Sequence, residues 1–378
     1  MSGLLIRYLE RFIRDDLKKK MVFLGGPRQV GKTTLATTLI PGFHDNHPAY
    51  LNWDNLNHRG KIKNQEWPRF EKLIVLDEIH KNKLWRNLVK GFYDTLKNTH
   101  SFLITGSARL NHFRKGGDSL LGRYHYYRLH PYSLPELKYP KDGITDLMKY
   151  GGFPETFTSK DERSLRRWHM QRIDRLIQTD LRDWEDVKDL NKIQMLAEEL
   201  PNRVGSPLSL TSLANDIEVD FKTIKRWIEI LDSLYYSFQI APFGSAKIRA
   251  VKKEQKLYLW DWSQVENPGI RFESMVASHL LKYCHYLEDV EGYRCELRFL
   301  RDTDKREVDF VVLKNKKPLF AVECKTGERS ISPHIFYYQK RTPIPHFYQV
   351  HMGTTHRQVN DQISMLPFAD FCKLVGLV

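Results

Sequence analysis

The 378 residues include 60 Lys+Arg against 46 Asp+Glu, a formal net charge of +14 at pH 7, and are 41% hydrophobic and 28% charged. Such a composition excludes a disordered or collagen-like chain and leaves room for two or three folded cores. No apolar run reaches the roughly 18–20 residues that span a bilayer, so no membrane partner is expected, and the cation excess points to nucleic acid.

The four cysteines, Cys284, Cys295, Cys324 and Cys372, show no CxxC spacing. Neither a disulfide framework nor a zinc site is indicated, and a reducing cytoplasm is the simplest location. The chain opens with apolar and charged residues interleaved (Leu5, Leu9 and Phe12 against Arg7, Glu10 and Arg11), an amphipathic helix rather than a signal peptide. Residues 21–24 then read as a buried strand and 33–40 as a helix ended by Pro41-Gly42. Between them runs Gly26-Pro27-Arg28-Gln29-Val30-Gly31-Lys32-Thr33-Thr34, in which Gly26, Gly31, Lys32 and Thr33 satisfy G-x-x-x-x-G-K-[ST] at every fixed position. In a strand–loop–helix context, the loop N–H groups and the helix N-terminus surround phosphates with positive partial charge. Lys32 then reaches the β- and γ-phosphates, and the Thr33 hydroxyl holds Mg²⁺. ATP and Mg²⁺ are the expected cofactors.

A second strand is expected over 50–54 and a third over 73–76, the latter followed by Asp77-Glu78. Four apolar residues suit a strand buried on both faces, and its carboxyl end is where open α/β sheets bind ligands. Asp77 is placed to hold Mg²⁺ through water, and Glu78 to polarise the water that attacks the γ-phosphate. A helix over 84–96 and a buried strand over 102–107, ending Thr105-Gly106-Ser107, come next. These elements describe a nucleotide hydrolase.

Residues 164–186 read as helical and rich in arginine and tryptophan. Ser209 or Thr211 caps a short helix through Asp216, Asp220 caps a longer one to Leu231, and 235–240 supplies a wing strand. On the longer helix Phe221, Ile224, Ile228 and Leu231 share one side, while Lys222, Lys225 and Arg226 lie mostly elsewhere. These three cations are the candidate contacts to DNA phosphates; a winged helix serving as an ATPase lid or protein contact accounts for them equally well. The last third carries a helix that Glu273 opens and that ends near Cys284, then strands over 295–300, 307–313 and 319–325. Alternation places Glu307 with Asp309 on one face, and Glu323 with Lys325 on one face.

Several short runs recur in a familiar order: 26–34, Leu-Asp-Glu-Ile-His at 76–80, Ile-Thr-Gly-Ser-Ala at 104–108 and Leu-Gly-Arg-Tyr at 121–124. Leu-His-Pro-Tyr-Ser-Leu-Pro-Glu at 129–136 and Gly-Gly-Phe-Pro-Glu at 151–155 complete them. The series resembles the prokaryotic AAA+-like ATPases that carry a C-terminal domain of unknown function related to PD-(D/E)XK nucleases. The resemblance implies an α/β protein: a parallel-sheet AAA+-like P-loop core (1–155), a helical and winged-helix-like segment (156–244) and a nuclease-like α/β domain (245–378). It implies that Ser107 or Thr105 senses the γ-phosphate, unless either merely caps its strand. It makes Arg123 a γ-phosphate-sensing arginine, from its own subunit or from a neighbour in a homo-oligomer. Asp309 followed by Glu323-Cys324-Lys325 resembles the D…E-x-K nuclease core, with Glu273 matching its helix acid. The resemblance thus implies a second divalent metal on Asp309, Glu323 and Glu273, with Lys325 orienting water or stabilising the phosphate. Two functions stay open: an ATP-driven enzyme acting on DNA, and a nucleotide-switched interaction protein whose nuclease fold is inert.

Overall fold

The computed structural model describes residues 5–106, 120–181, 189–244 and 254–378, with only the backbone of 178–180. Ser107 therefore lies outside the described residues. The chain divides into two compact units, Met1–His130 and Pro131–Val378.

In the first unit, the amphipathic N-terminus forms helix α1 (Glu10–Asp16), which buries Ile13. Five short strands follow: β1 (Met21–Gly25), β2 (Tyr50–Asn52), β3 (Leu73–Asp77), β4 (Ser101–Thr105) and β5 (Tyr124–Arg128). They form one parallel sheet in the order β2-β3-β4-β1-β5. The strands β1, β3 and β4 are apolar almost throughout because helices cover both faces of a parallel sheet. Helix α2 (Lys32–Thr38) leaves β1 through the glycine loop, α3 (Leu56–Asn64) starts at an Asn55 cap, and α4 (Trp85–Leu96) buries Trp85, Val89 and Phe92. From β1 the chain crosses to β2 and β3 on one side and finally to β5 on the other. The carboxyl ends at that reversal, Gly25, Thr105 and Asp77, form the edge at which such sheets bind ligands.

The second unit begins with α5 (Gly143–Tyr150), α6 (Pro154–Ser159), α7 (Glu162–Arg175), α8 (Leu190–Glu199), α9 (Leu210–Ile217) and α10 (Phe221–Ser233). The expected caps are present: Ser209 accepts from Ser212 N, and Asp220 from Lys222 N and Thr223 N. The helix expected over 164–186 is described only in part, since 182–188 lie outside the described residues.

An eight-stranded mixed sheet follows in the order β12-β13-β11-β10-β9-β8-β6-β7. Its strands are β6 (Ser237–Pro242), β7 (Lys256–Leu259), β8 (Cys295–Arg301), β9 (Glu307–Lys314), β10 (Lys317–Cys324), β11 (Phe347–His351), β12 (Arg357–Asn360) and β13 (Ile363–Pro367). The segment expected as a wing is thus joined to this sheet: β6 pairs antiparallel with β7 and ends parallel to β8. Local sequence carries no mark of a partner more than fifty residues away. Helix α11 (Pro268–Asp289) extends beyond the expected ends because Asn267 caps it and Pro268 suits its first turn. Two shorter helices, α12 (Pro333–Gln339) and α13 (Phe368–Val375), complete the unit.

The polar motif at 131–136 is a fixture on α11. Buried Lys282 donates to Glu136 Oε2 (2.6 Å) and Ser133 Oγ (2.7 Å), and His279 Nε2 accepts from Leu134 N (3.0 Å). Burial holds the His279 imidazole down at about 3, so it stays neutral and able to accept.

Candidate nucleotide site and C-terminal charge cluster

The loop geometry explains its glycines. A Cβ on Gly26 would stand 2.4 Å from the Leu129 carbonyl oxygen, and Gly31 opens α2 with φ 95°. Lys32 is buried and donates to Gly26 O (3.0 Å) and Pro27 O (2.6 Å), which sets its ammonium inside the loop. Arg7, outside every motif, is buried and reaches Val30 O (2.7 Å) and His130 O (2.6 Å). It ties the loop backbone to the segment after β5.

Asp77 receives three hydroxyls. Thr33 Oγ1 (3.0 Å) and Tyr50 OH (2.6 Å) donate to Oδ2, and Thr105 Oγ1 donates to Oδ1. The neighbouring Glu78 has φ 56°. Its Oε2, 3.5 Å from His80 Nε2 and 3.7 Å from Lys81 Nζ, has no hydrogen-bond partner among the described residues. Burial, and then the Asp77 charge, raises the Glu78 carboxyl above its usual range; Lys32, Lys81 and Arg28 pull it back. A hydroxyl and a carboxylate side by side at a helix N-terminus, with a second acid beside them, form a donor set that suits Mg²⁺ with a nucleoside triphosphate.

Arg123 is not at this edge. Met21 pairs with Tyr124 and Gly25 with Arg128, so Arg123 sits where the strands begin, about 16 Å along β1 from the loop. There it holds Asp94 of α4 through Nε (2.8 Å). This placement keeps it far from the loop of its own subunit, because parallel register fixes which end of β5 it occupies. On α10, Lys222, Lys225 and Arg226 are exposed on the side away from buried Ile224, Trp227 and Ile228.

The C-terminal acids do meet, together with a residue that sequence reasoning passed over. Lys256 of β7 is 0% exposed, its Nζ 2.5 Å from Glu307, 3.3 Å from Glu273 and 3.9 Å from Asp309. Tyr258 OH donates to Glu273 (2.6 Å), Cys324 N to Asp309 (2.8 Å), and Lys325 Nζ to Glu323 Oε1 (2.7 Å). Burial lifts Glu273, Asp309 and Glu323 above the usual carboxylate range, while Glu273, Asp309 and Glu307 outweigh burial at Lys256 and raise its ammonium. A metal on Asp309, Glu323 and Glu273, as expected from the resemblance, would share this space with the Lys256 ammonium. Among the described residues no group of three His, Cys, Asp or Glu side chains is arranged to hold a metal ion. An ammonium stands between the acids. The polar run Glu254-Gln255-Lys256 gave no sign that Lys256 would be buried.

The sheet order, the loop and the acid pair define the first unit as an AAA-type P-loop ATPase domain. The comparisons agree: residues 18–138 match the family model described as an AAA domain. Residues 141–265 and 268–371 match two models described as domains of unknown function (DUF8612 and DUF4143). Among curated proteins the chain is similar to two uncharacterized proteins of Methanocaldococcus jannaschii. MJ1637 is 24% identical, over 85% of this chain and 78% of that one; MJ1544 is 23% identical, over 90% and 84%. Among solved structures it is similar to the RuvB Holliday junction branch migration motor of Thermotoga maritima (18% identity, TM-score 0.28, covering 61% of this chain and 87% of that one). It is also similar to a STAND protein with a tetratricopeptide repeat sensor, PH0952 of Pyrococcus horikoshii (11%, TM-score 0.24, 76% and 48%). Superpositions this loose carry no argument about function.

Proposed function

We propose that this protein binds ATP with Mg²⁺ in the loop 26–34, hydrolyses it, and uses the cycle while acting at DNA. The observation that carries the reading is the convergence of Lys32, Thr33, Asp77 and Glu78 at one sheet edge. Loop N–H groups and Lys32 bind the phosphates. Thr33 and Asp77 hold the Mg²⁺, which when bound neutralises charge developing on the phosphate oxygens. Glu78, whose Oε2 has no hydrogen-bond partner among the described residues, takes a hydrogen bond from the attacking water and receives its proton as the O–P bond forms and the ADP oxygen leaves. Exposed Lys222, Lys225 and Arg226 supply the DNA contact, consistent with the net charge of +14.

A specific observation favours the inert-scaffold reading for the C-terminal domain: Lys256 already neutralises the carboxylates that a nuclease would need for metal. The ATPase test is a pair of substitutions. Lys32→Ala removes ATP binding, and Glu78→Gln keeps binding but slows hydrolysis about 10²–10⁴-fold. Equal turnover by Glu78→Gln and wild type removes the role given to Glu78. Mg²⁺- or Mn²⁺-dependent cleavage of single-stranded, duplex or branched DNA overturns the scaffold reading and leaves the ATPase reading intact.

A further inference from the structure

Asp77 is 4% exposed, yet three hydroxyl groups converge on its two oxygens. Two of these belong to elements already assigned: Thr33 to the phosphate loop and Thr105 to the neighbouring strand β4. The third does not. Tyr50 comes from the edge strand β2, two residues before Asn52, which pairs with Asp77 across the sheet. Asn52 Nδ2 lies 3.3 Å from the Tyr50 oxygen and donates to it. A phenol has a single proton, so an amide donating to its lone pair leaves that proton for Asp77, 2.6 Å away. The ring itself is half-buried and edge-on to Phe43 at 6.1 Å, which limits the directions the hydroxyl can take.

We propose that Tyr50 is a positioning residue for the Mg²⁺ that accompanies ATP. The inference rests on the ATPase reading and adds to it a residue that no phosphate-loop pattern contains. A free aspartate rotates about two bonds, and an ion that binds it must first stop that rotation. Here strands on either side of β3 have already done so: Tyr50 from β2 holds Oδ2, and Thr105 from β4 holds Oδ1. Thr33 shares Oδ2 with Tyr50 and would be the hydroxyl that holds the ion, while Tyr50 and Thr105 keep the carboxylate plane fixed. Groups that orient a metal ligand in this way commonly set about 10–100-fold in metal affinity.

Tyr50→Phe keeps the ring and deletes only the donor. The measurement is Mn²⁺ affinity of the protein bound to a non-hydrolysable ATP analogue, read by electron paramagnetic resonance of free Mn²⁺. A fluorescent ATP analogue titrated in EDTA gives the metal-free nucleotide affinity. The expected result is a Mn²⁺ affinity lower by about 10–100-fold, an unchanged metal-free nucleotide affinity, and ATPase activity that recovers as Mg²⁺ is raised. Wild-type Mn²⁺ affinity in folded Tyr50→Phe protein overturns the proposal. So does an equal fall in metal-free nucleotide affinity, which marks damage to the loop instead. If Tyr50→Phe does not fold, Asn52→Ala decides: it leaves the phenol but removes its aim, and a smaller fall of the same kind is required. Wild-type protein that binds no ATP, or hydrolyses none in the presence of Mg²⁺, refutes the ATPase reading itself, a different outcome from either of these.

Discussion

Replacing Lys256 by Met keeps the length of the side chain and removes its charge from a site that is 0% exposed. In the native protein the ammonium faces Glu307, Glu273 and Asp309 at 2.5, 3.3 and 3.9 Å. At an effective dielectric of 20, each such pair has a gross attraction of about 4–7 kcal/mol, most of which the desolvation of the charges cancels. What the substitution exposes is the remainder, carboxylates buried beside one another with no cation between them. Breaking a buried ion pair from one side typically costs about 3–5 kcal/mol. The cost depends on pH, and its sign follows from the direction of the shifts. Glu273, Asp309 and Glu323 already sit above the usual carboxylate range, so the folded state holds protons that the unfolded state has released. Stability is therefore greatest below the unfolded-state pKa and is lost as pH rises through the folded one. Removing Lys256 takes away a charge that lowers Glu273 and Asp309, so these two rise further and the loss becomes steeper. Hydrogen exchange of peptides covering β7, β9 and α11 reads the local stability without assuming that two units unfold together. Lys256→Met is expected to lose about 3–5 kcal/mol of protection at pH 8 and clearly less at pH 5. A loss of the same size at both pH values, or none at pH 8, refutes Lys256 as the counter-ion of the cluster.

We propose that Arg123 serves the phosphate of a neighbouring subunit, since it lies far from its own loop. Arg123→Ala should slow hydrolysis about 10³-fold or more, and mixing it with Lys32→Ala protein should restore part of the activity; wild-type turnover reduces Arg123 to the partner of Asp94. For DNA, the triple substitution of Lys222, Lys225 and Arg226 by Ala should lower the slope of log affinity against log salt by about 0.9 per lost contact. An unchanged slope moves the contact to another part of the chain.

Which parts of this protein were legible in its sequence follows from the range of the forces involved. The strand–loop–helix at 21–38 was legible because each step is local: an apolar run, two glycines and a short helix in succession. Asp77-Glu78 was legible for the same reason, as were the caps Ser209 and Asp220, which act on N–H groups two or three residues away. The acid pair and the loop were even expected to meet, since parallel strands bring their carboxyl ends together. The α/β architecture followed from these elements.

Tertiary structure alone decided the rest. Tyr50 and Thr105 are ordinary strand residues until pairing of β2, β3 and β4 aligns them with Asp77. Arg7 acquires its role only when the chain before α1 comes within hydrogen-bond reach of the loop at Val30 O. The sequence held open both a neighbour's and its own phosphate for Arg123; parallel register, counted residue by residue from Met21, sent it to the far end of the sheet. Lys256 is the sharpest case. A lysine in a charged stretch, Lys252-Lys253-Glu254, reads as solvent-exposed, because burying an ammonium alone is prohibitive. Only the gathering of Glu273 from a helix, and of Glu307 and Asp309 from another strand, makes that burial possible. Local patterns determine which segments become helix or strand and which loop fits a phosphate; the balance of charge at a buried point depends on residues far apart in the chain, and only the folded sheet brings them within reach of one another.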